Sequence, residues 1–219
     1  MKIDMTDLLN SITENLKRID YIKPEELLNS ILESVGRIDY IHPVDIPNID
    51  LYMDQVTTFM DEHLAGTKRR DEDKILTKTM INNYSKNNLL PPSVKKKYSK
   101  EHVLLLIFIY YFKSILSIKD IETVLAPLRD KYFSDEAALS LSELYTEVCK
   151  LEKSRIKPLS ESVQEAYESS FSAFSNIEDD ADQKELRLFA FICSLSFDVY
   201  LKKVMIEKII DELSAQKED

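Results

Sequence analysis

Glycine is almost absent from this chain. Gly36 and Gly66 are the only two among 219 residues, whereas average usage is roughly 7%. Glycine serves tight turns, bulges and phosphate-binding loops. Its near absence therefore predicts helices joined by simple loops, and it excludes a dinucleotide-binding motif and a P-loop. No run of alternating residues is long enough to indicate a strand, so we expect an all-α fold.

The N-terminal residues contain a tandem repeat. Residues 8–24 (LLNSITENLKRIDYIKP) and 27–43 (LLNSILESVGRIDYIHP) are identical at 12 of 17 positions. Each copy is typical of an amphipathic helix followed by an extended Tyr-Ile-x-Pro exit, because proline disfavours helix at the residue before it. We predict a short helical N-terminal arm over residues 1–44 that packs on the body of the protein or on a partner subunit.

Apolar periodicity and capping residues predict four helices over residues 45–130. A charged loop (66–73) follows the first of them, and Asn88 suits a left-handed stop after the second. Leu89 and Leu90 are expected to return to the core. The helices and their caps are a helix within 45–64 capped by Asp50, Ile75–Asn87 with Thr77 as cap, a helix from Ser99 through Leu116, and Ile118–Leu128 opened by Ser117.

The remaining residues, 131–219, predict a C-terminal helical bundle. Helices are expected over 136–155 and 160–177, separated at Pro158, and a long helix over 182–214. Cys149 and Cys193 lie in apolar helical surroundings and are expected to be small buried hydrophobes. The long helix carries an apolar stripe at 4-3 spacing, interrupted by Lys202, that suits a bundle core or a dimer seam: Leu188, Ile192, Leu195, Val199, Ile206, Ile209 and Leu213.

Positive charge is concentrated in one segment of this acidic protein. Residues 67–102 contain ten Lys/Arg and four Asp/Glu, whereas the rest of the chain contains 19 and 35. Such a protein presents one face to polyanions and repels them elsewhere.

The short helix at 77–87 within this segment has one polar face without acidic residues. Its side chains suit base edges and phosphates, since Asn pairs with adenine and Lys with guanine or phosphate. A basic loop follows Pro91-Pro92 and has the size to lie on a sugar-phosphate backbone. The candidate residues are Lys78, Thr79, Asn82, Asn83 and Lys86 on the helix, and Lys95, Lys96 and Lys97 in the loop.

The segment TKTMINNYSKNNLLPPSVKKKYSKEHVLLLIFIYYFKSILSIKDIETVL resembles the winged helix-turn-helix of MerR-type transcriptional regulators. Residues 40–150 are also similar to a bacterial family of uncharacterised MerR-like regulators. The resemblance implies a recognition helix at about 77–87 for the major groove, and a wing at 93–98 that ends on Tyr98 and contacts DNA. The positions that match the family pattern are Tyr84, Leu89, Leu90, Pro91, Tyr98, Ser99, Ile118, Ile121 and Leu125; Asn88 stands where the family usually has glycine.

The sequence therefore predicts an all-α DNA-binding transcriptional regulator. Its domains are expected to be the N-terminal arm (1–44), a MerR-like helix-turn-helix domain (45–130) and a C-terminal helical domain for dimerisation or an effector (131–219). Double-stranded DNA and a second copy of the chain are the expected partners. The resemblance also leaves room for a small-molecule effector, whose type the sequence does not specify.

Two other functional classes remain to be compared with a regulator. The alternative is a helical protein–protein interaction module that retains the scaffold without binding DNA. An enzyme is not expected, because no nucleophile–base pair or phosphate loop is legible, and neither a cofactor nor a metal site is expected from the scattered His42, His63 and His102. The N-terminus lacks a signal-peptide pattern and the longest apolar run, 103–112, is too short to span a bilayer. We therefore expect a cytoplasmic protein without a membrane partner.

Overall fold

The computed structural model describes residues 24–36, 41–133 and 139–215. This part of the chain is mostly helical, as predicted, with seven α-helices and two short strands. The elements in chain order are α1 (Pro24–Gly36), β1 (Leu51–Tyr52), α2 (Met53–His63), a 3-10 turn (Ala65–Thr67), α3 (Lys78–Lys86), β2 (Lys97–Tyr98), α4 (Lys100–Phe112), α5 (Ile118–Tyr132), α6 (Leu141–Ser172) and α7 (Asp180–Ala215).

The described residues form two compact units. A larger unit holds 41–133, 139–155 and 199–215, and a smaller unit holds 24–36 and 156–198. The three-domain division at 44/45 and 130/131 stays a prediction. Helix α1 confirms the helix expected in the second repeat copy, whereas most of the first copy lies outside the described residues.

Helix α4 forms the centre of the larger unit. All seven residues from Val103 to Ile109 are buried, because α5 and β2 pack against this helix. Helix α2 adds Val56 and Met60 to the same core and packs on β1, β2 and α3. A helix that is apolar all round is stable when it is enclosed in this way. In the described ranges no helix is long and apolar enough to cross a membrane.

A two-stranded antiparallel sheet joins the start of α2 to the segment before α4. Leu51 pairs with Tyr98, and Tyr52 pairs with Lys97. The sequence did not indicate these strands, because two residues are too few to show alternation. The same pairing corrects the predicted cap at Asp50. Helix α2 begins only at Met53, after the strand, and the Gln55 side chain accepts a hydrogen bond from the Tyr52 N–H at 2.8 Å.

The predicted helix break at Pro158 is wrong. Helix α6 runs without interruption from Leu141 to Ser172. Proline removes one N–H and therefore one backbone hydrogen bond, while the rest of a 32-residue helix keeps its own ladder. Helix α5 likewise contains Pro127 and extends to Tyr132 rather than Leu128, whereas α4 ends at Phe112 rather than Leu116.

The long C-terminal helix is confirmed, but its apolar stripe is largely uncovered. Ile192, Val199 and Ile209 are 54%, 63% and 62% exposed, so they are not part of an internal bundle core. Phe191, by contrast, is buried, and its ring lies 5.6 Å from that of Tyr167. Within the described residues these positions therefore do not form the predicted bundle core, and the alternative of a dimer seam stays a prediction.

One of the two cysteine predictions fails for a related reason. Cys149 is buried and Cys193 is exposed, and both are free thiols. Cys193 follows the buried Phe191 by two residues, which is about 200° around a helix. It therefore lies on the opposite side of α7, where the surrounding residues of the sequence are apolar but uncovered.

Candidate nucleic-acid interface

Local hydrogen bonds fix both ends of helix α3. Thr77 caps it, as predicted, since its Oγ1 accepts a hydrogen bond from the Met80 N–H at 3.2 Å. Asn88 has a φ of 57°, a left-handed conformation that asparagine tolerates better than most residues. The N–H of Leu89 then donates to the Tyr84 carbonyl at 2.9 Å. This is the hydrogen-bond pattern of a Schellman stop, and it returns Leu89 and Leu90 to the core.

The two faces of α3 divide as the sequence predicted. Ile81 and Tyr84 are buried, and burial raises the pKa of the Tyr84 hydroxyl. The candidate side chains are all exposed on the other side: Lys78, Thr79, Asn82, Asn83 and Lys86. The structure thus brings these five residues together on one polar surface, which we call the α3 face.

Lys78 differs from the other residues of the α3 face, because it forms an ion pair with Asp54 at the start of α2. Both side chains are largely exposed, and ion pairs of this kind contribute little to stability. The pair nevertheless lowers the positive potential at the N-terminal end of the α3 face. Lys86 at the other end therefore contributes more to attraction of a polyanion.

The basic loop forms a β-hairpin whose turn has two central residues. Val94 and Lys97 exchange backbone hydrogen bonds of 3.1 and 2.9 Å, and the two central residues, Lys95 and Lys96, have φ values of 52° and 64°. Positive φ at both positions defines a type I′ turn, for which Asn-Gly is the preferred sequence. Lysine in the left-handed region costs about 1–2 kcal/mol per residue. The hairpin therefore presents two exposed lysines at some expense in backbone energy.

We call this hairpin, residues 93–98, the wing. Its base lies beside the start of α2. The Lys97 ammonium lies 5.4 Å from the centre of the Tyr52 ring, which is a cation–π distance. Asp54, the partner of Lys78, follows Tyr52 by two residues. The segment Tyr52–Asp54 thus contacts both the wing and the N-terminal end of α3, and it brings the two basic elements to the same region of the larger unit.

Tyr98 does not share this surface. It is 4% exposed, and its ring meets that of His102 edge-on at 5.4 Å. The Tyr98 side chain therefore fixes the wing to the core rather than pointing to solvent. Of the nine candidate residues, the structure places the other eight at the surface.

His102 links the wing to the first turn of α4. Its Nδ1 accepts a hydrogen bond from the Ser99 N–H at 3.0 Å, which places the proton of the neutral ring on Nε2. Burial lowers the pKa of His102, and the carbonyl of Pro92 acts in the opposite direction. A proton on Nδ1 would remove this hydrogen bond, so the cap requires the neutral ring.

Two residues that the sequence did not single out hold the ends of α3. Lys113, at the end of α4, donates to the Ile75 carbonyl at 2.7 Å, and Arg129 on α5 donates to the Asn88 carbonyl. Burial lowers the pKa of Lys113. No local pattern marks either residue, because each hydrogen bond joins positions about forty residues apart in sequence.

Comparison with known protein families gave a match over part of the chain. Residues 41–148, just under half of the chain, match a family described as a domain of unknown function, DUF1836. Searches among curated proteins and among solved structures found no match. The matched segment contains α3, the wing and both anchoring residues, and it ends at the eighth residue of α6.

Proposed function

We propose that this protein is a DNA-binding transcriptional regulator with a MerR-like winged helix-turn-helix. Helix α3 enters the major groove, and the wing lies on the flanking sugar-phosphate backbone. The observation that carries the proposal is the exposed α3 face, polar and without an acidic residue, beside a hairpin that holds two lysines in a left-handed conformation.

The chemistry of the α3 face supports base contacts. Asn82 and Asn83 offer amides that suit the donor and acceptor pair of adenine, and Lys86 suits guanine or phosphate. These side chains are exposed while Ile81 and Tyr84 anchor the helix in the core. A helix that is rigidly seated and capped at both ends is able to present such groups in a fixed register.

The wing supports backbone contacts. Lys95 and Lys96 stand at the tip of the hairpin and are exposed. A strained backbone persists where the surrounding structure enforces it, and such positions cluster at functional sites. The net charge of the chain is −10, so affinity for DNA depends on few positive groups, and the wing supplies two of them at one point.

A dimer is part of the proposal. The uncovered stripe of α7 suits a seam with a second chain, because its 4-3 spacing matches the repeat that pairs helices. A two-fold dimer presents two recognition helices to half-sites about 34 Å apart, one turn of DNA. The proposal places this protein in the cytoplasm, where its DNA partner is found.

A protein–protein interaction module is the second candidate function. The observation that favours it is the same uncovered stripe on α7, which another protein is also able to cover, together with the acidic balance outside residues 67–102. The two functions differ in their response to DNA. A regulator binds duplex at low salt and releases it as salt rises, whereas an interaction module binds none at any salt.

Selection of bound sequences from a random duplex pool tests the proposal. We expect the full chain to enrich one motif, and Asn82→Ala to reduce the preference for that motif by about 1–3 kcal/mol, the value of a base-edge contact. Asn176→Ala is the matched control, because Asn176 is an exposed asparagine of the smaller unit. Failure to enrich any motif, or equal effects of the two substitutions, would contradict base recognition by α3.

A further inference from the structure

A cavity of about 400 Å³ opens between α4, α5 and α6 in the larger unit. Nine of its ten lining side chains are apolar or aromatic, and the tenth is Glu152. Phe112 lines it from α4, Val124 and Leu128 from α5, and Val148 from α6. Ligand sites have volumes of roughly 300–1,000 Å³, are mostly apolar, and contain few polar groups.

We propose that this cavity is an effector site for an apolar molecule with a cationic headgroup. At about 30 Å³ per heavy atom, the volume of a water molecule in the liquid, the cavity holds roughly 13 heavy atoms. Glu152 supplies negative charge at one place in an otherwise apolar lining, and the chain itself has a net charge of −10. Both charges favour a cation over an anion of the same length.

The walls of the cavity are connected to the two ends of α3. Phe112 lines the cavity, and the next residue, Lys113, holds the Ile75 carbonyl ahead of α3. Leu128 lines the cavity, and the next residue, Arg129, holds the Asn88 carbonyl at the other end of α3. A ligand that shifts α4 therefore acts on the N-terminal end of the recognition helix, and one that shifts α5 acts on its C-terminal end. This regulatory part of the inference rests on the proposed function.

Ligand binding is measured without DNA. Isothermal titration calorimetry of the full chain compares decyltrimethylammonium with decyl sulfate, both below their micelle concentrations. We expect saturable one-to-one binding of the cation, at least tenfold tighter than that of the anion, and a preference below threefold in Glu152→Gln. Weaker binding of the cation than of the anion, or an unchanged preference in Glu152→Gln, would overturn the site.

Location is tested by filling the cavity from two sides. Val124→Trp and Val148→Trp are each expected to weaken binding of the cation at least tenfold, with thermal unfolding recorded to confirm that each variant is folded. Val44→Glu is the control, since Val44 is 89% exposed, lies outside the cavity lining and outside α7, and should leave the affinity unaltered. If both folded tryptophan variants bind like the parent, or if Val44→Glu abolishes binding, the ligand lies elsewhere and the assignment fails.

Coupling is tested with a selected duplex at fixed salt. We expect saturating decyltrimethylammonium to change duplex affinity at least fivefold, the lower end of typical allosteric coupling. Arg129→Gln should keep ligand affinity and reduce that change to less than twofold. Ligand binding with no effect on the duplex would overturn the regulatory assignment. Absence of duplex binding would instead overturn the proposed function, while calorimetry still decides the site.

Discussion

Helices α4 and α7 are both rich in apolar residues, yet the described part of the chain encloses the first and leaves much of the second uncovered. In α4, seven consecutive residues from Val103 to Ile109 are buried. In α7, Phe189, Phe197 and Met205 are each at least 60% exposed. Hydrophobicity alone therefore does not determine burial within this chain. What differs is the number of described helices and strands that pack against each helix.

The comparison indicates separate roles for the two helices. Because α4 is enclosed, it holds α3 and the wing in place. Lys113 binds the segment before α3, and His102 binds the Ser99 N–H directly after the wing. Monomeric proteins rarely leave large contiguous apolar patches exposed without a binding role. The uncovered side of α7 is therefore the part of the molecule where we expect an external partner.

The largest expected effect is on stability. Leu105→Ala in α4 should lower the free energy of unfolding by about 2–5 kcal/mol, since Leu105 is completely buried and its truncation leaves a cavity. Ile209→Ala in α7 should cost less than about 1 kcal/mol, as is usual for surface positions. Urea denaturation at a concentration where the protein is monomeric measures both. Equal losses would mean that α7 is covered within the chain.

The second-largest expected effect is on self-association. Ile192→Glu places a charge in the uncovered stripe and should weaken self-association by roughly 10- to 100-fold, because a central apolar side chain of an interface contributes about 1–3 kcal/mol. Sedimentation over a range of concentrations measures this. Val44→Glu is the control, since Val44 is 89% exposed and lies outside α7. A parent protein that is strictly monomeric at tens of micromolar would contradict the predicted dimer.

Local signals in the sequence predicted much of the site. Thr77 as a cap, Asn88 as a left-handed stop and the opening of α5 at Ser117 depend on hydrogen bonds within three or four residues. The separation of buried Ile81 and Tyr84 from the polar α3 face follows from helical periodicity. These features were predictable because neighbours in sequence determine them.

Features that depend on distant residues were missed. The start of α2 is fixed by pairing of Leu51 with Tyr98, and the burial of Tyr98 depends on its contact with His102. Pro158 signals a break locally, but the surrounding turns of α6 outweigh it. The cavity likewise requires three helices to meet, so no single segment of the sequence indicates it.

The wing provides a smaller effect of opposite sign on stability. Replacing Lys95 by Asn and Lys96 by Gly gives the turn its preferred sequence and relieves left-handed lysines. We expect the double substitution to raise the free energy of unfolding by about 1–2 kcal/mol. Lys86→Ala serves as a control for removal of charge without a change of backbone strain. A destabilised double variant would contradict the type I′ hairpin.

The smallest effect is a pH dependence at the start of α4. Because the folded pKa of His102 is lowered, the unfolded chain binds more protons below about pH 6.5. The contribution of His102 to the free energy of unfolding should therefore be fully present above that pH and should be lost as the pH falls through it. His102→Gln retains a capping-box residue and should show a shallower decrease between pH 7 and 5 in urea denaturation. Identical slopes would indicate that His102 is not the group responsible.

The salt dependence of duplex binding tests the central claim most directly. The full chain and the Lys95→Asn, Lys96→Gly variant are titrated with a selected duplex at several salt concentrations. The account predicts that the logarithm of affinity falls linearly with the logarithm of salt. It also predicts that the variant, although folded, has a slope smaller by up to about 1.8, or 0.9 for each phosphate group that it no longer binds. No duplex binding at low salt, or equal slopes for the two proteins, would contradict it.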